Sequence, residues 1–443
     1  MMRGIRDTSV TIVVDRRAFL AMSGGVGLAG ILASGRAPAH ARGTTITILR
    51  SVDPIPAGDE VLARQVAEVS RALGATVTLD RVDARDLAAR VSAAVSAGTG
   101  PDIVQLWQNG PYLYEKHLVE VTDVAEEIER AQAGFHPACA VLCNIAQRWR
   151  AVPHAIIPDL VVYRASPYEQ AGAAEFPKTW REWYDAARIL KARGFPIGQT
   201  LAHTLVDGPA FWYPLLWSWG AKEVESDGKT VALDTSAAVE SVTFAVGLWR
   251  DCCDPKGLAW ANAENARAFL AGTNGSTLGT ALIYLTALDD PSAFKTATGA
   301  PLHTDIRYAP LPASGVGRFS YHRASHHGVM SYSKSPTLAK DVLRYLHARE
   351  RFEPWFVAER GYAIGPTRMW EQHALWTRDP VMLPFREAAR TYRLIGFAGR
   401  PTAKASQALS SHIVVDMYAK AIRGMPPEEA VTWAVRALQN IYA

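Results

Sequence analysis

Cysteine, long apolar runs and clusters of one charge sign are all scarce in this chain. Four cysteines among 443 residues, Cys139, Cys143, Cys252 and Cys253, cannot form the framework that staples a small secreted domain. Neither the spacing of the first pair nor the adjacency of the second resembles a zinc knuckle or a Cys-x-x-Cys redox pair. They read as small buried hydrophobes, with a bridge between the pairs left open in an oxidising compartment. No run of Lys or Arg exceeds the pair Arg16-Arg17, and the basic residues are interspersed with acids, which excludes the electrostatic footprint of a nucleic-acid binder. The formal net charge is +4, but five Arg against two Asp fall in the first 41 residues, so the remainder is close to neutral. Gly-x-x-x-x-Gly-Lys-Ser/Thr is absent, and the first predicted strand ends in Ser51-Val52-Asp53-Pro54 without a Gly-x-Gly-x-x-Gly turn, so a nucleotide enzyme is disfavoured. Neither a Gly-x-Ser-x-Gly elbow nor His-Glu-x-x-His occurs. Paired catalytic carboxylates need only spatial proximity, so an exported hydrolase stays open as a minor alternative. The expectation is a protein that is not an enzyme and that carries no cofactor and no metal.

What the chain does have begins at its N-terminus. Asp15-Arg16-Arg17-Ala18-Phe19-Leu20 leads into a soft apolar run from Ala18 to Ala33, then Ala37-Pro38-Ala39. A basic segment, an apolar stretch and a small-x-small site form the layout of a cleaved secretory signal, and the paired arginines resemble the twin-arginine type. Ser23, Gly24, Gly25, Gly27 and Gly30 dilute the run, which falls short of the roughly 20 strongly apolar residues of a spanning helix. The cluster Gly24-Gly25-Val26-Gly27 therefore belongs to the signal. No cysteine stands near Ala37–Ala41, which excludes lipid attachment there. Residues 1–41 are expected to be removed near Ala39 or Ala41, leaving a periplasmic chain.

About 400 remaining residues, 49% hydrophobic and 20% charged over the whole chain, exceed what one core usually organises, so two globular units are expected. Thr44–Leu49 alternates and is β-branched like a strand. Gly58–Leu73 places Val61, Leu62, Val66, Val69 and Leu73 on a helical stripe stopped by Gly74. Ala75–Asp80 reads as a strand, Asp83–Ala97 as a helix capped by Asp83, and Asp102–Trp107 as a third strand. The resulting β-α-β-α-β order implies a mainly parallel sheet whose ligands lie beyond the carboxyl ends of its strands. A second unit starts after Val152-Pro153-His154. It has a predicted strand at Ile156–Arg164, helices at Thr179–Arg193, Thr235–Asp251 and Asn265–Ala271, an aromatic-rich segment at Asp207–Gly220, and a strand at Thr277–Tyr284. Tyr308–Pro312 and Gly328–Ser333 look like extended returns, and Pro336–Ala443 is mostly helical, with Pro426-Pro427-Glu428-Glu429 opening the last helix.

Several short motifs follow one another in a recognisable order along the chain. The landmarks are Gly98-Thr99-Gly100-Pro101-Asp102-Ile103-Val104, Ile157-Pro158-Asp159-Leu160-Val161-Val162-Tyr163-Arg164 and Pro177-Lys178-Thr179-Trp180-Arg181-Glu182-Trp183. They continue with Leu216-Trp217-Ser218-Trp219-Gly220, Phe269-Leu270-Ala271-Gly272 and Ser333-Lys334-Ser335-Pro336-Thr337-Leu338-Ala339-Lys340. Gly361-Tyr362-Ala363-Ile364-Gly365-Pro366 and Gly424-Met425-Pro426-Pro427-Glu428-Glu429-Ala430 complete the series. Each motif is weak alone, but their order spans almost the whole mature chain, and it is similar to that of the extracellular solute-binding proteins of ABC importers, the sugar-binding class related to maltose-binding proteins (family 1). The resemblance implies an α/β, two-lobe periplasmic-binding-protein-like (type II) fold with a hinge of crossing strands and a helical C-terminus. Lobe 1 would comprise 44–152 plus 308–366, and lobe 2 would comprise 153–306 plus 367–443. It further implies a monomer that closes over one carbohydrate or polyol and presents it to a membrane permease. A non-sugar ligand such as an organic acid, a polyamine or a metal complex is the alternative, and the closed lobes could also signal through a receptor.

Sugars expose apolar C–H faces and a rim of hydroxyls, so their binders pair aromatic platforms with polar side chains. Trp107, Gln108 and Asn109 follow the third predicted strand, the favoured place for ligand contact; capping and packing are their structural alternative. Asp53 follows the first strand and could bind ligand or cap the turn before Pro54. From the dense group Phe211, Trp212, Tyr213, Trp217 and Trp219, one or two are expected in the site, with Phe211 and Trp212 the candidates. Gly279, Thr280 and Tyr284 stand where relatives commonly place a stacking aromatic, although the usual Gly-x-Trp is missing. His326 and His327 occupy the position of a Gly-Gly turn in relatives and could bond a polar ligand; a metal there would need further His or carboxylates.

Overall fold

The computed structural model describes residues 43–204 and 206–443; the export signal expected over residues 1–41 lies outside them. Among the described residues no helix is long and apolar enough to cross a membrane. The described residues form ten strands: β1 Thr45–Ser51, β2 Thr76–Val82, β3 Ile103–Trp107, β4 Asn144–Ile145, β5 Arg148–Trp149, β6 Val152–Ile157, β7 Leu160–Arg164, β8 Ser276–Gly279, β9 Ile306–Ala309 and β10 Arg323–Val329. A five-stranded sheet has the order β2-β1-β3-β10-β6, a three-stranded sheet the order β8-β7-β9, and β4 pairs with β5. Strands β1, β2 and β3 are parallel, while β10 runs antiparallel between β3 and β6.

Local chemistry explains the expected β-α-β-α-β start. Helix Pro56–Leu73 takes Pro56 in its first turn, where no backbone N–H is needed, and ends at Gly74, whose φ of 63° favours glycine. Its buried Val61, Leu62, Val66, Val69 and Leu73 cover one face of the sheet. Helix Ala84–Ala97 begins where the Asp83 carboxylate accepts from the Arg85 N–H. Its Leu87 and Val91 pack with Leu49, Val104 and Leu106 on the opposite face. In the second unit, Thr179 and Glu182 form a reciprocal cap on helix Trp180–Ala192.

Two expected strands come out differently. Ile156–Arg164 is not one strand: β6 belongs to the five-stranded sheet and β7 to the three-stranded one, with the bend at Pro158-Asp159 between them. The chain returns from the second sheet to the first between β9 and β10. Thr277–Tyr284 is a short strand, β8, followed by helix Leu282–Asp289, so Tyr284 is helical. His326 and His327 likewise sit inside β10, the penultimate strand of the sheet, rather than in a turn.

Two large cores result. The first lies between the five-stranded sheet and helices that include Pro56–Leu73, Pro336–His347 and Arg349–Ala358. The second gathers helices Trp180–Ala192, Asp207–Ser218, Ser236–Cys252, Ile413–Ile422 and Pro427–Tyr442. All four cysteines are free and buried, Cys139 and Cys143 in the first core and Cys252 and Cys253 in the second, so no bridge joins the pairs. Burial alone pushes the Cys139 thiol up to about 12, as expected of a packed hydrophobe.

Candidate functional site

The carboxyl ends of β1 and β3 open onto a cavity of about 470 Å³, the position a parallel sheet favours for ligands. Arg50, the penultimate residue of β1, is only 3% exposed, and its Nη2 donates to Asp53 Oδ2 at 3.2 Å. Its Nη1 has no hydrogen-bond partner. The Asp53 turn is fixed from both sides: the Ile55 N–H donates to Asp53 Oδ1 and the Asp53 N–H donates to Asp59 Oδ2, each at 3.1 Å. Gln105 on β3 accepts from both the backbone N–H and the hydroxyl of Ser51 at 2.9 Å. Trp107, Tyr321, Trp355 and Tyr362 supply rings to the same wall, and Val206 and Leu409 close it from elements packed on the second core.

A second cavity of about 380 Å³ adjoins the first, sharing Pro54, Arg323 and Tyr362 and adding Asp159, Asp207, Asn265, Gly279 and Thr280. The two form one cleft between the sheets. Arg323, the first residue of β10, stands at their junction with its Nε 3.7 Å from Asp159 Oδ2. Burial pushes the Asp159 carboxyl up to about 6 even though Arg323 pulls it down, and burial raises Asp207 as well. Glu359 is the most perturbed acid on the wall. Burial, and then the neighbouring Asp53 carboxylate, push it up to about 10, so it is protonated at neutral pH. Such an arrangement offers ring faces, donors and acceptors held in fixed positions, and no nucleophile paired with a base.

Some of the residues picked out from sequence converge here and others do not. Asp53, Trp107 and Gln108 line the larger cavity, and Gly279 and Thr280 line the smaller. Asn109 lines neither: its Nδ2 donates to the Pro401 and Thr402 carbonyls at 2.8 and 3.1 Å, tying β3 to the C-terminal segment. Phe211 and Trp212 are fully buried in the second core, because helix Asp207–Ser218 is covered on every side. Tyr284 points away, its hydroxyl donating to Asp379 Oδ2 at 2.6 Å. His326 is buried behind the wall with Nε2 3.0 Å from the Gln108 carbonyl, and His327 pairs with His347. Sequence reasoning missed Arg50, Gln105, Arg323, Trp355 and Glu359. Arg50 alone carried a local signal, a cation ending an apolar strand three residues before an acid; Tyr362 was quoted only as part of a landmark.

Gln108 is the structural pin of the wall. Its φ is +53°, unusual for a residue with a side chain. Its Nε2 donates to the Tyr321 hydroxyl and the His322 carbonyl, and its Oε1 accepts from the Ala324 N–H and the Tyr392 hydroxyl, at 2.7 to 3.0 Å. Removing the side chain strands several buried partners, so Gln108→Ala should lower unfolding free energy by about 2–3 kcal/mol. Gln108→Gly loses the same bonds but relieves the backbone, and should recover up to about 1 kcal/mol. Urea unfolding of the three proteins checks this ranking, and a glycine variant less stable than the alanine one would contradict it.

Residues 68–350 match the family model described as bacterial extracellular solute-binding protein. No curated protein matches the sequence. Among solved structures, the chain is similar to the cyclic α-maltosyl-1,6-maltose binding protein of Arthrobacter globiformis (TM-score 0.73, 17% identity, 90% of this chain and 99% of that one). It is similar to maltose-bound MalE3 of T. maritima (TM-score 0.72, 18% identity, 90% and 99%). A solute-binding protein of Agrobacterium radiobacter K84 in complex with ribitol shares the fold at TM-score 0.67 and 15% identity, over 90% and 99% of the two chains.

Proposed function

Because the chain belongs to the bacterial extracellular solute-binding protein family, we propose that it captures a carbohydrate or polyol between its two sheet units and delivers it to an ABC-type importer. The observation that carries this reading is the cleft itself. Ring faces of Trp107, Tyr321, Trp355 and Tyr362 surround buried polar groups at the carboxyl ends of parallel strands, the pairing that a sugar's apolar faces and hydroxyl rim require. Solved structures of the same fold bind maltose, a cyclic maltosyl-maltose and ribitol, which supports that class of ligand. The lobes divide at three chain crossings: Pro158-Asp159, the segment between β9 and β10, and the segment between Ala389 and Ile395. A ligand bridging them stabilises the closed state by its differential affinity for it. The protein acts as a monomer in the periplasm after export on the twin-arginine signal at Arg16-Arg17, and a membrane permease is its partner.

One observation favours a second reading. Arg50 Nη1 and Arg323 Nε, both in the cleft, lack hydrogen-bond partners, and a carboxylate on the ligand would satisfy them. A sugar acid or other organic acid is therefore the alternative. Thermal unfolding against neutral sugars, polyols, uronates and organic acids separates the two, since ligand at 100 times its Kd adds about 2.7 kcal/mol. Stabilisation by a neutral sugar or polyol is the expected result; stabilisation by acids alone would replace the carbohydrate reading with the second one.

A further inference from the structure

The geometry points to a transition-metal site formed by His154, His327 and His347 behind the larger cavity, a nitrogen-donor site for a zinc-class divalent ion. The three rings come from three rigid elements: β6, β10, which pairs with it, and the last residue of helix Pro336–His347. One nitrogen from each lies within 4.8 Å of the other two. His327 Nδ1 and His347 Nε2 are 3.1 Å apart. Two nitrogens bound tetrahedrally to one zinc at about 2.0–2.1 Å stand about 3.3 Å apart, so this pair already has the required spacing. The third donor, within 4.8 Å of the other two, must close by up to about 1.5 Å.

The second observation is a deficit of partners. His154, His327 and His347 are 6%, 3% and 2% exposed, yet both ring nitrogens of His154 and Nε2 of His327 have no hydrogen-bond partner. Leaving such groups buried and unpaired is costly, and a metal would engage one of the two free nitrogens of His154. Ring orientation is otherwise set by packing: His154 lies 4.5 Å from Trp355 and 4.4 Å from His327 between ring centroids. Gln132 fixes the His347 backbone through its carbonyl at 2.8 Å. The nearest cation, Arg50, is engaged by Asp53.

Three neutral imidazoles suit zinc, cobalt, nickel or copper rather than magnesium or calcium. Of the three, only His154 lines the cavity, so the fourth position of the ion opens toward the cleft, as in sites that keep one exchangeable ligand. His326-His327, adjacent in sequence, do not form this site together. The fold turns His326 toward the Gln108 carbonyl and gathers His154 and His347 around His327 instead.

The test uses the mature chain stripped with a chelator and titrated with cobalt(II), followed by zinc displacement. A second pair elsewhere, exposed His203 stacked at 4.4 Å on the partly buried His412, with His203 2.7 Å from Asp416, could bind metal adventitiously. A His203→Ala/His412→Ala variant removes it. Expected are one equivalent of cobalt with the visible bands of four-coordinate geometry, unchanged in that double variant, and affinity falling on the order of 100-fold in His154→Gln and in His347→Gln. Circular dichroism establishes that these variants are folded, and the spectrum of the unaltered protein tests the site independently of them. Absence of a four-coordinate spectrum and of zinc heat in the stripped protein would overturn the proposal. So would binding lost in the His203/His412 variant and kept in the other two. The outcome is independent of the carbohydrate reading, since no sugar is present.

Discussion

Glu359→Gln should make the protein more stable than its parent at pH 8, with an advantage that grows as pH rises. The carboxyl of Glu359 is 1% exposed on the cleft wall and is pushed from the ordinary 4.5 up to about 10, chiefly by burial and next by Asp53. A group whose pKa is raised by folding binds a proton in the folded chain that the unfolded chain has released. Its contribution is complete below about pH 4.5 and is lost progressively as pH climbs toward 10. The glutamine amide keeps the shape and can donate toward Asp53, but it does not ionise. Variant and parent should therefore differ little at pH 4.5, and the gap should widen by up to about 1.4 kcal/mol per pH unit above it. Urea unfolding at pH 5, 7 and 9 reads the gap directly. Parallel profiles for the two proteins would mean that Glu359 is not held protonated.

Trp107→Ala and Arg323→Met should each weaken the captured ligand at least ~30-fold, and up to ~1000-fold, because a few buried aromatic and arginine anchors carry most of a binding energy. Trp107 offers a ring to the larger cavity, and Arg323 stands where the two cavities meet, 3.7 Å from Asp159. The two substitutions have different side effects. Trp107 is only partly buried, so its loss should barely change unfolding. Methionine at 323 leaves Asp159 without the cation that pulls it down, so Asp159, held near 6 in the parent, should rise further and take up a proton at neutral pH. Combining Arg323→Met with Asp159→Asn should therefore recover stability and leave binding weak. Calorimetric titration beside urea unfolding separates the effects, and full recovery of affinity in the combined variant would contradict a direct role for Arg323.

Much of the fold follows from local signals. Alternation in Thr45–Ser51, the stripe of Val61, Leu62, Val66, Val69 and Leu73, and the stops at Gly74 and Gly98 each act within one element. The misread segments are short apolar runs, where period does not separate strand from helix. Val152–Arg164 is buried along most of its length, so nothing local marks the change of sheet at Pro158-Asp159. Leu282-Ile283-Tyr284-Leu285 is apolar without alternation and becomes helical. The candidate site was legible only where it sits at or just past the end of a strand, at Asp53, Trp107, Gln108, Gly279 and Thr280. Arg323, Trp355 and Glu359 reach it from β10 and from helix Arg349–Ala358 with its C-cap, and such assembly depends on strand order rather than on neighbours in sequence. Phe211 and Trp212 misled for the opposite reason: the rings that make a sugar platform also fill a core, and helix Asp207–Ser218 is enclosed on all sides.

The central claim is that the cleft between the two sheets holds one small polyhydroxylated solute, and isothermal titration calorimetry of the mature chain against a panel of mono- and oligosaccharides and polyols tests it most directly. The account predicts a 1:1 heat with at least one of them, weakened in Trp107→Ala. No heat across the panel, or an equal heat in that variant, would contradict it.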